Sequence, residues 1–590
     1  MLATAPSESL PWATIYPANL AWDTPLEPKP LYAFLDAAAA RHPDHAALDF
    51  LGRRTNYAQL KDQVDRAAAG FRALGVVRGT KVGLCLPNSP YTVIAYYAVL
   101  KAGGTVVNFN PLYTVEELTK QVRDSETEIM VTLDVAQVYP KVHALVANGE
   151  LGRIVVGQMR ECLPSMKGMM FSAFKRSQLA RVVYDDRHTA FASLLRFNPI
   201  PEPAAIEPER DIAVLQYTGG TTGLPKGAML THANLSANTA QLMAWMPDLT
   251  TGSESIYGVL PCFHVLAMTV VLNLGIAVAA EIVLAPRFEL QDALKTITRK
   301  RPTLFPGVPT IYTALKDSPE LQRYDLSSLK YCISGGAPLP VEVKREFESL
   351  TGCVLVEGYG LTEASPVVTC NPLTGEARTG SIGIPVPQTT VSMRAISDTR
   401  TPVEIGERGE LCLRGPQVMA GYWNRPEETA NVLVDGWLRT GDVGHMDADG
   451  YVYLTDRIKD VILCGGFNVY PRVIEEAIYE HPAVAEVAVV GVPDSYRGQS
   501  PKAFVRLREG AILGEDELRS FLAPKISRIE IPTAFEFREE LPKTSVGKLS
   551  KKALQEEEER AANVAPGGAA DTVATGPAAP APETETDLRA

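Results

Sequence analysis

Between residues 31 and 135 the chain alternates between amphipathic helical patterns and short apolar strand patterns. This rhythm is typical of parallel α/β layers. It resumes at residue 211 and predicts α/β subdomains to about residue 379. From 380 to 456, short strand patterns separated by Gly and Asp predict a β-rich subdomain. We therefore expect an α/β fold with a large N-terminal domain over residues 1–456.

After residue 456 the pattern changes to that of a small α+β unit. Helical patterns occur at 471–480 and 515–522, and strand patterns occur at 484–492, 502–507 and 534–537. About 100 residues suffice for an independent core, so we predict a small C-terminal domain over 457–555. Residues 556–590 begin with an acidic run and continue in Ala, Pro, Gly and Thr without an aromatic residue, which predicts a disordered tail.

Composition indicates a globular protein of several domains. The chain has 590 residues, of which 46% are hydrophobic and 21% charged. Its net charge of −12 argues against nucleic-acid binding through a basic face. The 8 cysteines show neither close pairs nor metal-ligand spacing, which favours reduced thiols. The N-terminus lacks a basic-then-apolar signal pattern, and we expect a cytoplasmic protein.

Two apolar segments bear on membrane contact. Residues 265–280 are almost wholly apolar but fall short of the ~20 residues that a spanning helix needs, so we predict a buried helix. Residues 159–183 interleave Met and Phe with Lys and Arg. That mixture suits peripheral contact with a membrane surface, at the inner face for a cytoplasmic protein. A partly packed hairpin explains the same segment equally well.

The loop from Tyr217 to Gly227 combines glycines, threonines and a lysine. Glycine backbone N–H groups can approach an anion closely, and hydroxyl and ammonium groups add donors. An apolar strand pattern at 212–216 precedes the loop and a helical pattern follows from about Asn234, an order in which nucleotide phosphates are often held. Lys226 is followed by Gly227, so the Walker pattern fails. A plain surface turn therefore remains an alternative on this loop alone.

Five further stretches combine groups that bind nucleotides. Each has a structural explanation by itself, since Tyr359 fits a core position, Glu363 and Asp442 fit caps, and Lys548 fits an exposed lysine. Their joint order and spacing argue for a shared site. The stretches are Tyr331–Pro338, Glu357–Glu363, Trp437–Asp442, Asp456–Asp460 and Pro542–Lys548.

In this order the motifs resemble those of the adenylate-forming acyl-CoA synthetases. The resemblance covers residues 25–555, and within the family the chain is most similar to bacterial long-chain fatty acid–CoA ligases. Residues 435–462 look like the signature region of those ligases. The motifs are TGGTTGLPKG, PCFHVLA, GGAPLP, EGYGLTE, GSIGIPVP, GERGELCLRGP, DGWLRTGD, DRIKDVI and LPKTSVGK.

The resemblance implies a ligase that converts a fatty acid, ATP and CoA to acyl-CoA, AMP and pyrophosphate through an acyl-AMP intermediate. Mg²⁺ is the implied cofactor, with Thr218 and Glu363 as its ligands. The implied catalytic residues are Lys548, Thr362, Glu363 and His264. The implied ATP- and AMP-binding residues are Thr218, Gly219, Gly220, Thr221, Thr222, Gly223, Lys226, Gly335, Gly336, Ala337, Glu357, Gly358, Tyr359, Gly360, Thr362, Asp442 and Arg457.

The resemblance also implies how the two half-reactions alternate. Lys548 bridges the acyl carboxylate and the α-phosphate during adenylation, which aligns them and stabilises the transition state. His264 lines the acyl pocket and need not act as a base, because a fatty carboxylate is ionised at neutral pH. The small domain then swings about the hinge Lys459. The implied CoA-channel residues are Gly465, Gly466 and Phe467.

The Tyr-Lys-x-Pro element of the family is altered in residues 523–532, which lack the Tyr, so the resemblance implies no CoA contact there. The acyl pocket is scattered along the sequence, and a ligase for medium-chain or aromatic acids is the main alternative. A luciferase-like or a carrier-loading adenylating enzyme is less well supported. Relatives suggest a homodimer.

Overall fold

The computed structural model describes residues 10–18, 20–218, 225–464, 467–494, 496–544 and 547–564. Two large sheets form the centre of the N-terminal part. The strands of the first lie in the order Ile384–Pro385, Val367–Cys370, Val354–Gly360, Tyr331–Gly335, Leu304–Gly307, Ser255–Gly258, Glu281–Leu284, Ala46–Phe50 and Arg53–Asn56. Those of the second lie in the order His188–Ala190, Arg153–Gly157, Ile129–Leu133, Lys81–Cys85, Thr105–Asn108, Ile212–Tyr217 and Gly227–Thr231.

Parallel pairing dominates both sheets, and helices pack between and around them. The helix Pro90–Ala102 is buried along nearly its whole length, as expected for an element between two sheets. The helices of this part are Tyr32–Arg41, Tyr57–Ala73, Pro90–Ala102, Val115–Ser125, Tyr139–Ala147, Ser165–Phe174, Phe191–Leu194, His232–Trp245, Leu290–Lys300, Pro309–Lys316, Val341–Thr351 and Pro426–Val432.

Two smaller sheets follow in the chain. The antiparallel third sheet contains Asp398–Pro402, Thr390–Ala395, Gly409–Arg414, Trp437–Met446, Leu433–Val434 and Val452–Arg457. The fourth contains Phe467–Val469, Ile462–Cys464, Gly498–Leu507, Val484–Asp494 and Ala534–Phe537, and it packs against the helices Pro471–Tyr479 and Glu515–Leu522. The predicted fold class, a large layered α/β domain with a small α+β domain, is confirmed.

Local sequence signals explain where several helices begin. Thr114 and Glu117 form a capping box at the start of Val115–Ser125, and Asn56 and Gln59 do the same for Tyr57–Ala73. Such boxes satisfy two backbone N–H groups that the helix itself leaves unpaired.

The structure differs from the sequence-based expectation around the glycine loop. The strand Gly227–Thr231 returns from the loop antiparallel to Ile212–Tyr217, and the helix begins only at His232. Thr231 and Asn234 form the capping box of that helix. The expected strand–loop–helix order is therefore wrong, because the loop joins two strands of a hairpin. Its residues 219–224 lie outside the described residues.

The predicted buried helix at 265–280 is present as a continuous helical segment over 265–277. Its middle part, Met268–Asn273, has π-helical hydrogen bonding, and all residues from Val270 to Ile276 are buried. In the part of the chain that the structure describes, no helix is long and apolar enough to cross a membrane.

Two further segments differ from what their sequences suggested. The helix Ser165–Phe174 occupies much of 159–183, where a hairpin was the alternative to a membrane-facing segment. The last helix, Lys551–Val564, extends past residue 556, so the expected disordered tail does not begin there. Its acidic run packs back on the small domain, where Glu558 pairs with Lys502 at 2.6 Å. Residues 565–590 of the expected tail lie outside the described residues.

Candidate active site

The carboxyl ends of two neighbouring parallel strands bring the two central glycine motifs together. Gly335, at the end of Tyr331–Gly335, pairs with Gly358 in Val354–Gly360. Ligands of open α/β sheets bind outside such strand ends. The predicted nucleotide-binding residues Gly335 to Ala337 and Gly358 to Gly360 therefore lie side by side.

Lys548 reaches this point from the small domain. Gly336 has φ +84, and a Cβ on it would lie 2.7 Å from the Lys548 Nζ, so a larger residue would displace the lysine. Burial lowers the pKa of Lys548 to about 8, with a further contribution from the charge of Arg457, which Asp442 opposes. The structure thus places the predicted catalytic lysine, half-buried, against the predicted adenine-lining turn.

His264 lies within electrostatic reach of this lysine. It precedes the buried helical segment 265–277. Burial, with a smaller contribution from the charge of Lys548, lowers the pKa of His264 to about 4. The imidazole is therefore neutral at neutral pH. It can line a pocket and take part in hydrogen bonds, but it is a poor proton acceptor there.

Asp442 connects the β-rich sheet with the glycine motifs. In the pairing of Trp437–Met446 with Val452–Arg457, Asp442 lies opposite Arg457. The Arg457 Nε donates to one carboxylate oxygen at 3.0 Å, and the Tyr359 hydroxyl donates to the other at 2.5 Å. Burial and the Asp442 charge raise the pKa of Tyr359 well above its usual value. These three predicted nucleotide-binding residues form one hydrogen-bonded group.

Glu363 lies in a short 3₁₀ turn, Thr362–Ala364, after the strand that carries Tyr359. Its Oε1 accepts a hydrogen bond from the Tyr422 hydroxyl at 2.7 Å. The Nζ of Lys226 lies 5.1 Å from the centre of the Tyr422 ring. Tyr422 thus joins the end of the glycine loop to Glu363, a contact that the sequence motifs did not indicate.

The oxygen donors at Glu363 and Thr218 are of the kind that holds a cation together with phosphates. Among the described residues, no group of three or more His, Cys, Asp or Glu side chains is arranged to hold a metal ion. Mg²⁺ is usually held through one or two carboxylates together with the phosphates of its nucleotide. A single carboxylate at Glu363 and a hydroxyl at Thr218 are hard oxygen donors that fit this mode.

Glu357 connects the site to the small domain by charge. It is 8% exposed, and burial raises the pKa of its carboxyl to about 7, an effect that the charge of Arg472 opposes. Arg472 belongs to the first helix of the small domain, Pro471–Tyr479. No sequence motif singled out Arg472, because its position in an amphipathic helix resembles that of any charged residue.

The hinge and CoA-channel residues lie beyond the nucleotide-binding strands. Lys459 is in the 3₁₀ turn Ile458–Asp460 that follows Arg457. Burial and then the charge of Arg457 lower the pKa of Lys459. Phe467 is 63% exposed at the start of a small-domain strand. The predicted residues Gly219–Gly223, Gly465 and Gly466 lie outside the described residues, and the roles given to the site residues stay predictions.

The fold and this cluster define a class: an α/β enzyme in which a small C-terminal domain brings a half-buried lysine to the carboxyl ends of the central parallel strands. The chain belongs to the AMP-binding enzyme family. The family model matches residues 35–423, and the model for the C-terminal domain of AMP-binding enzymes matches residues 473–548. The predicted membership of the adenylate-forming family is thus confirmed.

Named relatives and solved structures share most of the chain. A long-chain-fatty-acid–CoA ligase of Bacillus subtilis is 46% identical over 93% of this chain and 98% of its own. A feruloyl-CoA synthase of Amycolatopsis is 34% identical over 87% of this chain and 96% of its own. The crystal structure of the anthranilate CoA ligase AuaEII with anthranoyl-AMP superposes with a TM-score of 0.80 and 27% identity, covering 92% of this chain and 99% of that one.

Proposed function

We propose that this protein is an ATP-dependent ligase that joins long-chain fatty acids to CoA through an acyl-AMP intermediate. The observation that carries the proposal is the position of Lys548, which lies half-buried against Gly336 and within electrostatic reach of His264, Arg457 and Asp442. A cation at that place faces the junction between a nucleotide and an acyl group. The fatty-acid part rests on the 46% identity to a long-chain-fatty-acid–CoA ligase.

In the first half-reaction the fatty carboxylate oxygen attacks the α-phosphorus of ATP. An oxygen–phosphorus bond forms, and the bond to the bridging oxygen breaks as pyrophosphate leaves. Lys548 stabilises the negative charge that accumulates on the α-phosphate, and Asp442 and Tyr359 orient the nucleoside. Glu363 and Thr218 would hold Mg²⁺, which neutralises phosphate charge when bound.

In the second half-reaction the CoA thiolate attacks the acyl carbon of acyl-AMP, the thioester bond forms and AMP leaves. No role for Lys548 is needed in this step, because AMP is already a good leaving group. We propose that the small domain rotates about Lys459 between the steps and withdraws Lys548.

A ligase for aromatic acids is the second candidate. It is favoured by the feruloyl-CoA synthase, 34% identical, and by the structural similarity to an anthranilate CoA ligase. The identity to the long-chain relative is higher and extends over more of the chain, so we place fatty acids first.

The test is a panel of acids of increasing chain length, with ferulate and benzoate, each assayed for AMP release with and without CoA. We expect the highest kcat/KM with acids of about 14 to 18 carbons and acyl-CoA as product. A maximum with aromatic acids would overturn the substrate assignment. Acyl-AMP formation with no acyl-CoA product would overturn the ligase assignment.

We further propose that the helix Ser165–Phe174 binds an anionic membrane surface. It carries an exposed apolar stripe, defined as Met166, Met169, Met170 and Phe174, whose side chains are 53–80% exposed. Their spacing places them on one face of the helix. Residues 163–183 contain four basic residues and no acidic one, in a chain of net charge −12. Apolar residues rimmed by cations suit anionic lipid headgroups.

Vesicle sedimentation tests this surface. We expect binding to vesicles that contain phosphatidylglycerol and little binding to pure phosphatidylcholine. Phe174→Glu combined with Met169→Glu should abolish it. Ile512→Glu, a matched control at a 93% exposed apolar residue of the small domain, should leave it unchanged. Equal binding by the double variant would contradict the proposal.

The homodimer suggested by the resemblance stays a prediction.

A further inference from the structure

The turn that carries Lys548 is closed by its own hydrogen bonds. The Thr544 N–H donates to the Lys548 carbonyl at 2.7 Å, and the Gly547 N–H donates to the Thr544 carbonyl at 2.9 Å. The Thr544 hydroxyl accepts from the Lys548 N–H at 3.2 Å, and Lys543 pairs with Leu549 as an isolated bridge. The backbone of Lys548 is therefore fixed to its turn. The position of the ammonium group then depends on how the turn docks on the large domain.

A hydroxyl of the large domain holds this turn. Thr310, the second residue of the helix Pro309–Lys316, donates its hydroxyl proton to the Gly547 carbonyl at 3.0 Å. Gly547 has φ +81, and a Cβ on it would lie 3.3 Å from the Thr310 Oγ1 and 3.7 Å from the Val308 side chain. The turn thus packs closely on residues 308–310 through Gly547, the residue that precedes Lys548.

The Thr310 hydroxyl donates its hydrogen bond across the domain interface. A hydroxyl can donate only one hydrogen bond, and here the acceptor is the Gly547 carbonyl. Thr313, one turn further along the same helix, instead donates to the Pro309 carbonyl within the helix. The ion pair of Arg508 with Asp317 at 3.6 Å also joins the domains, but it lies between exposed side chains and acts on the domain as a whole.

We infer that Thr310 is a positioning residue for adenylation, which acts by holding the Gly547–Lys548 peptide so that the ammonium group lies against Gly336. The inference rests on the proposed function, and it concerns the first half-reaction alone. When the small domain rotates, Gly547 leaves Thr310, and the hydroxyl has no part in thioester formation.

Single-turnover assays of each half-reaction test this assignment. Thr310→Val keeps the side-chain shape and removes the donor. The loss of one hydrogen bond predicts about 3- to 10-fold slower acyl-AMP formation. Thioesterification of supplied acyl-AMP should be unchanged. Thr310→Ser, which keeps the hydroxyl, should restore most of the adenylation rate. Thr313→Val, the matched control, should leave both steps at the wild-type rate.

A double variant separates positioning from direct contact with ATP. In a Lys548→Ala background, Thr310→Val should cause no further loss of the residual adenylation, because its effect acts through the lysine. A further loss there, equal slowing of both half-reactions, or no slowing at all would overturn the inference. Failure of the wild-type protein to form acyl-AMP from any acid in the panel would instead overturn the proposed function.

Discussion

At the scale of single residues, position decides the chemistry of the two motif lysines. Lys226 ends the glycine loop and lies over the Tyr422 ring, whereas Lys548 lies half-buried against Gly336 some 300 residues further along the chain. The absence of a Walker pattern therefore does not argue against a phosphate site. In the proposed mechanism the cation at the reacting phosphate is Lys548 of the small domain, and we propose that Lys226 binds the leaving pyrophosphate.

Lys548→Ala should slow acyl-AMP formation strongly and spare thioesterification of supplied acyl-AMP. The reason is that the charge is needed where negative charge develops on the α-phosphate, and a lost electrostatic group of this kind typically costs about 100- to 1,000-fold in rate. Rapid-quench measurement of both half-reactions checks this. Equal loss in the two steps would contradict the role given to Lys548.

The pKa of Lys548 predicts how the rate of acyl-AMP formation falls at alkaline pH. Because burial lowers that pKa to about 8, the ammonium is mostly charged at pH 7 and mostly neutral at pH 9. The kcat/KM for acyl-AMP formation, which reports the free enzyme, should therefore fall as pH rises through about 8. An arginine at position 548 stays charged at these pH values. The kcat/KM of Lys548→Arg for acyl-AMP formation should therefore be lower than that of the wild type but should not fall as pH rises through about 8. A fall shared by both proteins would assign the titration to another group.

At the scale of elements, sequence periodicity predicted most helices and strands, because their patterns are local. The glycine loop shows where this stops. Thr231 and Asn234 form a capping box that fixes the helix start at His232, yet the sequence analysis predicts no element for the short strand Gly227–Thr231. Side-chain contacts between distant elements could not be predicted from the sequence either. Tyr422 and Glu363 lie 59 residues apart, and Thr310 and Gly547 lie 237 apart, with no pattern that pairs them.

The hairpin that carries Tyr359 and Thr362 depends on close backbone contact at Gly360. A Cβ on Gly360 would lie 2.2 Å from the Pro366 carbonyl oxygen, which forces the two strands apart. Gly360→Ala should lower the free energy of unfolding by about 1–3 kcal/mol and impair adenylation. Thermal unfolding and the first half-reaction measure the two effects. Gly514→Ala, where a Cβ meets nothing within 4 Å, should cost only about 0.5 kcal/mol as a changed helix cap.

At the scale of the whole molecule, charges couple the docking of the small domain to pH. Docked Lys548 has a pKa of about 8, whereas an exposed lysine titrates near about 10.4. The docked form therefore binds fewer protons than the undocked form. Rising pH should therefore favour docking, by up to roughly a hundredfold from Lys548 alone.

Fluorescence energy transfer between dyes on the two domains measures this equilibrium in the unliganded protein. All eight native cysteines are buried, so cysteines introduced at exposed positions can be labelled selectively. The docked fraction should rise from pH 8 to pH 10, even though adenylation declines above pH 8. Lys548→Met should flatten this rise. A docked fraction that falls with rising pH would show that other groups control the domain, and that burial of Lys548 is not what opposes docking.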